Sequence, residues 1–140
     1  MILLDTSGVL SALDESQRHH SECAAVLSGT SPPLLLSPFV LAELDYLLMR
    51  HVGSHSQAAL LDEVARGAYR LGPFGADDIA QAKQVIEQYS DLHIGLAEAS
   101  IVVLARRHAA SEVLTLDERH FRALRIEGRR RFKILPSDRR

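Results

Sequence analysis

Short, uninterrupted apolar runs, each bounded by polar or turn-forming residues, constrain this chain more than any other feature. Ile2-Leu3-Leu4 ends in Asp5-Thr6-Ser7-Gly8, Leu34-Leu35-Leu36 follows Pro32-Pro33, and residues 112–116 (EVLTL) lead straight into Asp117. A strand that is apolar on both sides must be covered on both faces, which is the situation of a parallel sheet. Residues 132–135, stopped by Pro136, read as a last strand, and residues 69–71 as a weaker one.

Helical patterns fill the intervals. Ser37-Pro38 is a cap followed by proline at the first helical position. The helix it opens runs to about residue 51, with Val40, Leu44, Leu47 and Leu48 on one stripe and Gly53 as its stop. Ser54 and Gln57 have the spacing of a capping box and open a helix to about residue 66; Asp78 and Gln81 repeat that spacing, and Ile79, Ala82, Ile86 and Tyr89 follow. Residues 96–108 are apolar nearly all round and read as a central buried helix. Strands alternating with helices predict an α/β fold, a mostly parallel sheet of four or five strands flanked by helices. The connections at 28–33, 52–54, 72–76 and 90–95 are short, and 140 residues suit a single domain over 1–140.

Composition removes several classes. With 46% hydrophobic and 24% charged residues the chain can build a core and is not of the disordered type. No apolar run nears the roughly 18 residues of a membrane span, and the N-terminus lacks the pattern of a secretory signal. Cys23 is the single cysteine, so no intrachain disulfide forms, and a reducing cytoplasm is the expected location. The net charge of −2 conceals a division: residues 1–105 hold 5 basic and 13 acidic side chains, residues 106–140 hold 11 and 5. The basic part is nearly all arginine, which suits planar contacts to phosphate.

Three acids fall at or just beyond strand ends, where open parallel sheets bind ligands. Asp5 follows the first strand, Glu43 lies in the second turn of the helix after the second strand, and Asp117 follows EVLTL. Glu98 and Asp91 flank the start of the buried helix. Each has a plain structural role available: Asp5 and Asp117 can cap the turn or helix that follows, and Glu43 can be a solvated helix residue. Glu98 has the least such room, because a carboxylate on an apolar helix is costly unless it is paired. Together on one sheet edge these acids repel unless a cation joins them, and hard oxygen ligands favour Mg²⁺ or Mn²⁺ over zinc. His19-His20 near Cys23 is a weak zinc look-alike, and His93 reads as a surface histidine.

MILLDTSGVLSALD, SPFVLAELDYLL, YSDLHIGLAEASIVVLARR and EVLTLDERHF, in this order and over essentially the whole chain, resemble a PIN domain of the VapC type, the toxin half of bacterial toxin–antitoxin pairs. The resemblance implies a PIN-like three-layer sandwich and an Mg²⁺- or Mn²⁺-dependent endoribonuclease that cleaves structured RNA (transfer or ribosomal). It further implies a cognate antitoxin as partner and a homodimer. Asp5, Glu43 and Asp117 match the first, second and fourth acids of the family. Glu98 stands where the family most often has aspartate, in Ala97-Glu98-Ala99; Asp91 matches an acid that often precedes this helix. Thr6 and Thr115 match hydroxyl positions that support the acids. Arg106, Arg107, Arg119 and Arg122, together with Arg125, Arg129, Arg130 and Arg131, become expected RNA-backbone contacts, and Tyr46, Leu47 and Met49 either pack in the core or line a groove for an antitoxin helix. Two other readings compete: a PIN-like RNA- or partner-binding module weakened in chemistry by the Glu98 replacement, and a structure-specific DNA nuclease on the same fold.

Overall fold

The leucine-rich triplets become the middle of a five-stranded sheet. The computed structural model describes residues 1–29 and 33–139, so part of the expected 28–33 connection, residues 30–32, lies outside the described residues. The strands are β1 (Ile2–Leu4), β2 (Leu34–Leu36), β3 (Arg70–Leu71), β4 (Glu112–Leu114) and β5 (Lys133–Leu135). Their order is β3-β2-β1-β4-β5, and every pairing is parallel. Consecutive residues of a strand point to opposite faces. All three residues of β1 are buried, so the sheet is covered on both sides, as the uninterrupted apolar runs required.

The helices are α1 (Thr6–Leu13), α2 (His20–Ser28), α3 (Pro38–His51), α4 (Ser54–Ala65), α5 (Ala76–Gln88), α6 (Leu96–His108) and α7 (Glu118–Ala123). One turn of 3₁₀ helix, Ser90–Leu92, leads into α6. α3 starts where the cap and proline placed it: Ser37 Oγ accepts the Phe39 N–H at 3.1 Å, with Pro38 at the first turn. α6 has eight buried residues, and the hydroxyls of Ser100 and Ser37 meet at 2.6 Å beneath it.

Local chemistry moves four of the sequence expectations. α4 is capped by Gly53 at φ 134°, not by Ser54, and the Gln57 amide donates instead to Asp45 Oδ1 at 2.7 Å. α5 begins two residues before Asp78, whose carboxylate reaches back to accept the Gly75 N–H at 2.8 Å. β4 stops at Leu114 rather than 116, because Thr115 turns its hydroxyl toward β1. Residues 5–8, which read as a turn, are the start of α1. A Cβ on Gly8 would stand 2.6 Å from the Leu114 carbonyl oxygen. Only glycine lets α1 lie directly on the end of β4.

Candidate active site

The chain runs β1, β2, β3 outward to one side, then returns to place β4 on the other side of β1. The gap between β1 and β4 is therefore the switch point of the topology, and crevices beyond the carboxyl ends of strands open there. Asp5 is the first residue past β1, and Thr115 and Asp117 follow β4. Leu4 pairs with Leu114, so Asp5 and Thr115 leave the sheet side by side.

Asp5 is only 5% exposed. Its Oδ2 accepts the Thr115 hydroxyl at 2.6 Å and the Ser7 hydroxyl at 3.2 Å. These hydroxyls are held in turn: Thr115 Oγ1 accepts the Asp117 N–H at 2.9 Å, and Ser7 Oγ accepts the Leu116 N–H at 3.0 Å. Burial pushes the Asp5 carboxyl up to about 6; the Thr115 hydroxyl and the Thr6 N–H oppose the rise, the Glu98 charge adds to it, and Ser7 opposes it weakly. Burial is the main cause, and no cationic side chain among the described residues offsets it.

Three of the remaining acids each hold a local donor. Glu98, half-buried in the first turn of α6, accepts the Gly95 N–H at 2.5 Å through Oε2. Glu43, exposed on α3, accepts the Thr6 hydroxyl at 2.7 Å. Asp117 caps α7, with Oδ1 accepting the His120 N–H at 3.1 Å and Oδ2 lying 2.7 Å from His120 Nδ1. Asp91 is exposed in the 3₁₀ turn before α6. Among the described residues no three His, Cys, Asp or Glu side chains are grouped as around a bound ion. The donor chemistry nonetheless fits a hard divalent cation: carboxylate oxygens, one of them buried without a counter-charge, at the crevice of the sheet.

Thr6 and Thr115, expected to support acids, touch Glu43 and Asp5 respectively. Sequence reasoning passed over two residues at the site, Ser7 and His120. Ser7 could have been found as the hydroxyl two residues after the first acid, and His120 as the ring three residues after a helix-capping aspartate.

The arginines divide differently from expectation. Arg106 and Arg107 lie eight and nine residues after Glu98 on α6, roughly 12–14 Å farther along its axis. Arg106 Nε donates to the Ile126 carbonyl, while Arg107 pairs with Asp78 and lies 6.0 Å over the Phe74 ring. Arg122 forks onto Asp138 at 2.7 and 2.9 Å and reaches Glu118 at 2.8 Å. Of the four, Arg119 is exposed and has no partner among the described residues.

Known proteins share this fold. The PIN domain family profile matches residues 2–127. The chain is 41% identical to Ribonuclease VapC26 of Mycobacterium tuberculosis over 135 residues, which is 96% of this chain and all of that one. Among solved structures it is similar to VapC20 of M. tuberculosis, described as a sarcin-ricin loop cleaving toxin, with a TM-score of 0.78 at 20% identity over 84% of this chain and 90% of that one. VapBC2 from Rickettsia felis, bound to a promoter DNA fragment, matches with a TM-score of 0.67 at 18% identity over 96% and 98% of the two chains. At such identities the structures speak for the fold alone. A buried acid, Asp5, at the β1–β4 switch point, a profile spanning nearly the whole chain and a full-length relative at 41% identity lead to one statement: the chain belongs to the PIN-domain family, alongside the VapC ribonucleases.

Proposed function

We propose that this protein is the toxin of a toxin–antitoxin pair, an endoribonuclease that uses Mg²⁺ or Mn²⁺ to cleave structured RNA, transfer or ribosomal. The observation that carries the reading is Asp5, a buried carboxylate at the end of β1 held by the Thr115 and Ser7 hydroxyls, with the Glu98 charge acting on it and no cationic side chain paired to it among the described residues. The relative at 41% identity is named a ribonuclease, and the structural neighbour VapC20 cleaves a structured RNA loop.

Asp5, Glu43, Glu98 and Asp117 would hold the ion, with Asp91 in reserve before α6. When bound, the ion supplies a water of lowered pKa and neutralises charge on the scissile phosphate. The residues of the chain do the rest. Thr115 and Ser7 fix Oδ2 of Asp5 and leave Oδ1 free of hydroxyl donors. The Thr6 hydroxyl orients Glu43, and the His120 backbone N–H orients Asp117. One of these four carboxylates would accept the proton of the attacking water.

The partner reading follows the neighbours, several of which are toxin–antitoxin complexes. Tyr46 and Met49 are exposed on α3, and Tyr46 and Leu47 line a hollow with Thr6 and Glu43. An apolar segment of an antitoxin seated there would cover the acids. The protein is expected to act as a homodimer in the cytoplasm, and none of the described helices is long and apolar enough to cross a membrane.

The test is cleavage of transfer RNA, ribosomal RNA and duplex DNA by purified protein with Mg²⁺, with Mn²⁺ and with excess EDTA. RNA cleavage that stops in EDTA is the expected result. Undiminished cleavage in EDTA ends the metal mechanism, and cleavage of DNA in place of RNA ends the ribonuclease assignment.

A further inference from the structure

Away from the acids, a polar groove of about 410 Å³ runs between α5 and the segment joining α7 to β5. Gln81, Gln84 and Gln88 line one wall, at the i, i+3, i+7 spacing that puts side chains on one helix face. All three are exposed, and none makes a side-chain hydrogen bond among the described residues. The charged residues Lys83 and Glu87 of the same helix are outside the lining and pair with each other at 3.2 Å. Arg106 and Arg125 line the groove opposite the glutamines, together with Glu127. Arg125 Nη1 donates to the last carbonyls of α7, and its other guanidinium N–H groups have no partner among the described residues.

The groove continues into a rigid basic turn. Arg125 and Arg131 form an antiparallel bridge, the Ile126 N–H donates to the Arg130 carbonyl at 2.9 Å, and Gly128 turns at φ 56°. Ile126 anchors the turn in the core at 1% exposure. Arg129, Arg130 and Arg131 stand exposed on it with no acid paired to any of them among the described residues. Gln88 lies three residues before Asp91, and the hydroxyl of its neighbour Tyr89 accepts the Arg125 N–H at 3.1 Å; from Gln81 to Gln88 the groove spans about 10 Å of helix.

We propose that this groove is a second RNA-contact surface, which takes the sugar–phosphate backbone of the substrate at a distance from the scissile phosphate. The inference rests on the ribonuclease reading and adds a place for the rest of the RNA. Guanidiniums in a fixed turn suit phosphates, and neutral amides offer donors and acceptors to ribose hydroxyls and base edges. A turn already held by backbone bonds loses little freedom when it binds. The run of amides excludes an apolar helix as occupant, and the unpaired arginines call for a polyanion.

The test is fluorescence anisotropy of labelled, unfractionated transfer RNA with the full-length protein in EDTA, between 50 and 200 mM salt. Arg129→Gln/Arg130→Gln/Arg131→Gln should bind at least about tenfold more weakly, with a log–log salt slope shallower by about 2–3. Gln81→Ala/Gln84→Ala/Gln88→Ala should bind about three- to tenfold more weakly with the parent's slope, since amides release no counterions. All six positions are exposed, so both variants should melt as the parent does. If the arginine variant weakens and the glutamine variant binds like the parent, the turn is a diffuse basic loop and the groove is overturned. Parent-like binding by both variants overturns it as well. Cleavage with Mg²⁺, run in parallel, separates the two readings. A parent that cuts RNA while both groove variants bind like the parent leaves the ribonuclease and removes the groove. A parent that binds through the groove and leaves the RNA uncut removes the ribonuclease and keeps the groove. A parent that does not bind transfer RNA overturns the groove.

Discussion

Two aspartates stand just past the carboxyl ends of parallel strands, Asp5 after β1 and Asp138 after β5, in opposite surroundings. Asp138 receives the Arg122 fork and the Ile134 N–H at 2.8 Å, and Arg122 holds its carboxyl down at about 2. Asp5 has hydroxyls and a second acid, and burial holds it up at about 6. The same side chain at equivalent strand ends thus serves two purposes. Asp138 has Arg122 as its cation and ties α7 to the C-terminal segment; Asp5 has no cationic side chain paired to it among the described residues, and on the proposed reading a cation from solution would complete it.

Metal removal should break this contrast most completely. EDTA should abolish RNA cleavage, and added Mg²⁺ or Mn²⁺ should restore it, while the Arg122–Asp138 fork and the melting cooperativity stay intact. Asp5→Asn comes next, with cleavage lower by about a hundredfold, the upper range for changes at metal sites. The same substitution should leave the metal-free protein more stable at neutral pH, by as much as about 3 kcal/mol if the full cost of ionising a buried carboxyl is removed. Asp138→Asn should do the reverse: cleavage per folded molecule within a few-fold of the parent, and stability lower by about 1 kcal/mol after allowance for solvent screening of a partly exposed pair. A fully active Asp5→Asn protein takes that residue out of the site.

The Glu98 series sharpens the comparison at the second acid. Glu98→Ala and Glu98→Gln should nearly abolish cleavage, and Glu98→Asp should stay within about tenfold of the parent. Measuring rate against Mg²⁺ concentration for these and for Asp91→Asn decides which acid works. An inactive Asp91→Asn beside a normal Glu98→Ala reassigns the role to Asp91.

The smallest effect is a pair of opposed pH slopes in stability. Between about pH 4 and 6 the folded metal-free protein keeps a proton on Asp5 that the unfolded chain has released. Its stability therefore rises as pH falls from 7 toward 4. Saturating Mg²⁺ should flatten that rise, because the ion takes the proton's place. Asp138 acts in the other sense: its contribution is present above about pH 4 and is lost as pH falls toward 2. Thermal melts from pH 3 to 8 with and without Mg²⁺ should resolve both, and a metal-free melting curve flat between pH 5 and 7 speaks against the raised Asp5.

Much of this was legible in the chain itself, for identifiable reasons. Ser37-Pro38 and Gly53 bound α3, and continuous apolarity marks α6, because those signals act within one turn of helix. The carboxyl-end position of Asp5 and Asp117 follows from where the apolar runs stop. Less legible was anything set by contacts distant in sequence. EVLTL reads as five strand residues, yet the Thr115 hydroxyl belongs to Asp5, 110 positions away. Arginine composition announces charge but not employment: Arg107 is taken by Asp78 and Arg122 by Asp138. α1 was hidden because Asp-Thr-Ser-Gly is also a good turn, and only the approach of α1 to β4 shows why glycine is needed there.

Gly8 carries a practical consequence. It has no functional group and touches no acid, but its missing methyl sets the spacing between the start of α1 and the end of β4. Alanine there must lift α1 off Leu114, and Asp5 and Ser7, on the same rigid stretch, move off Thr115 with it. In a mutational scan Gly8 will score like a catalytic position although no reactive atom is lost. A library that treats Gly8→Ala as a mild change will mistake a gauge for a reagent.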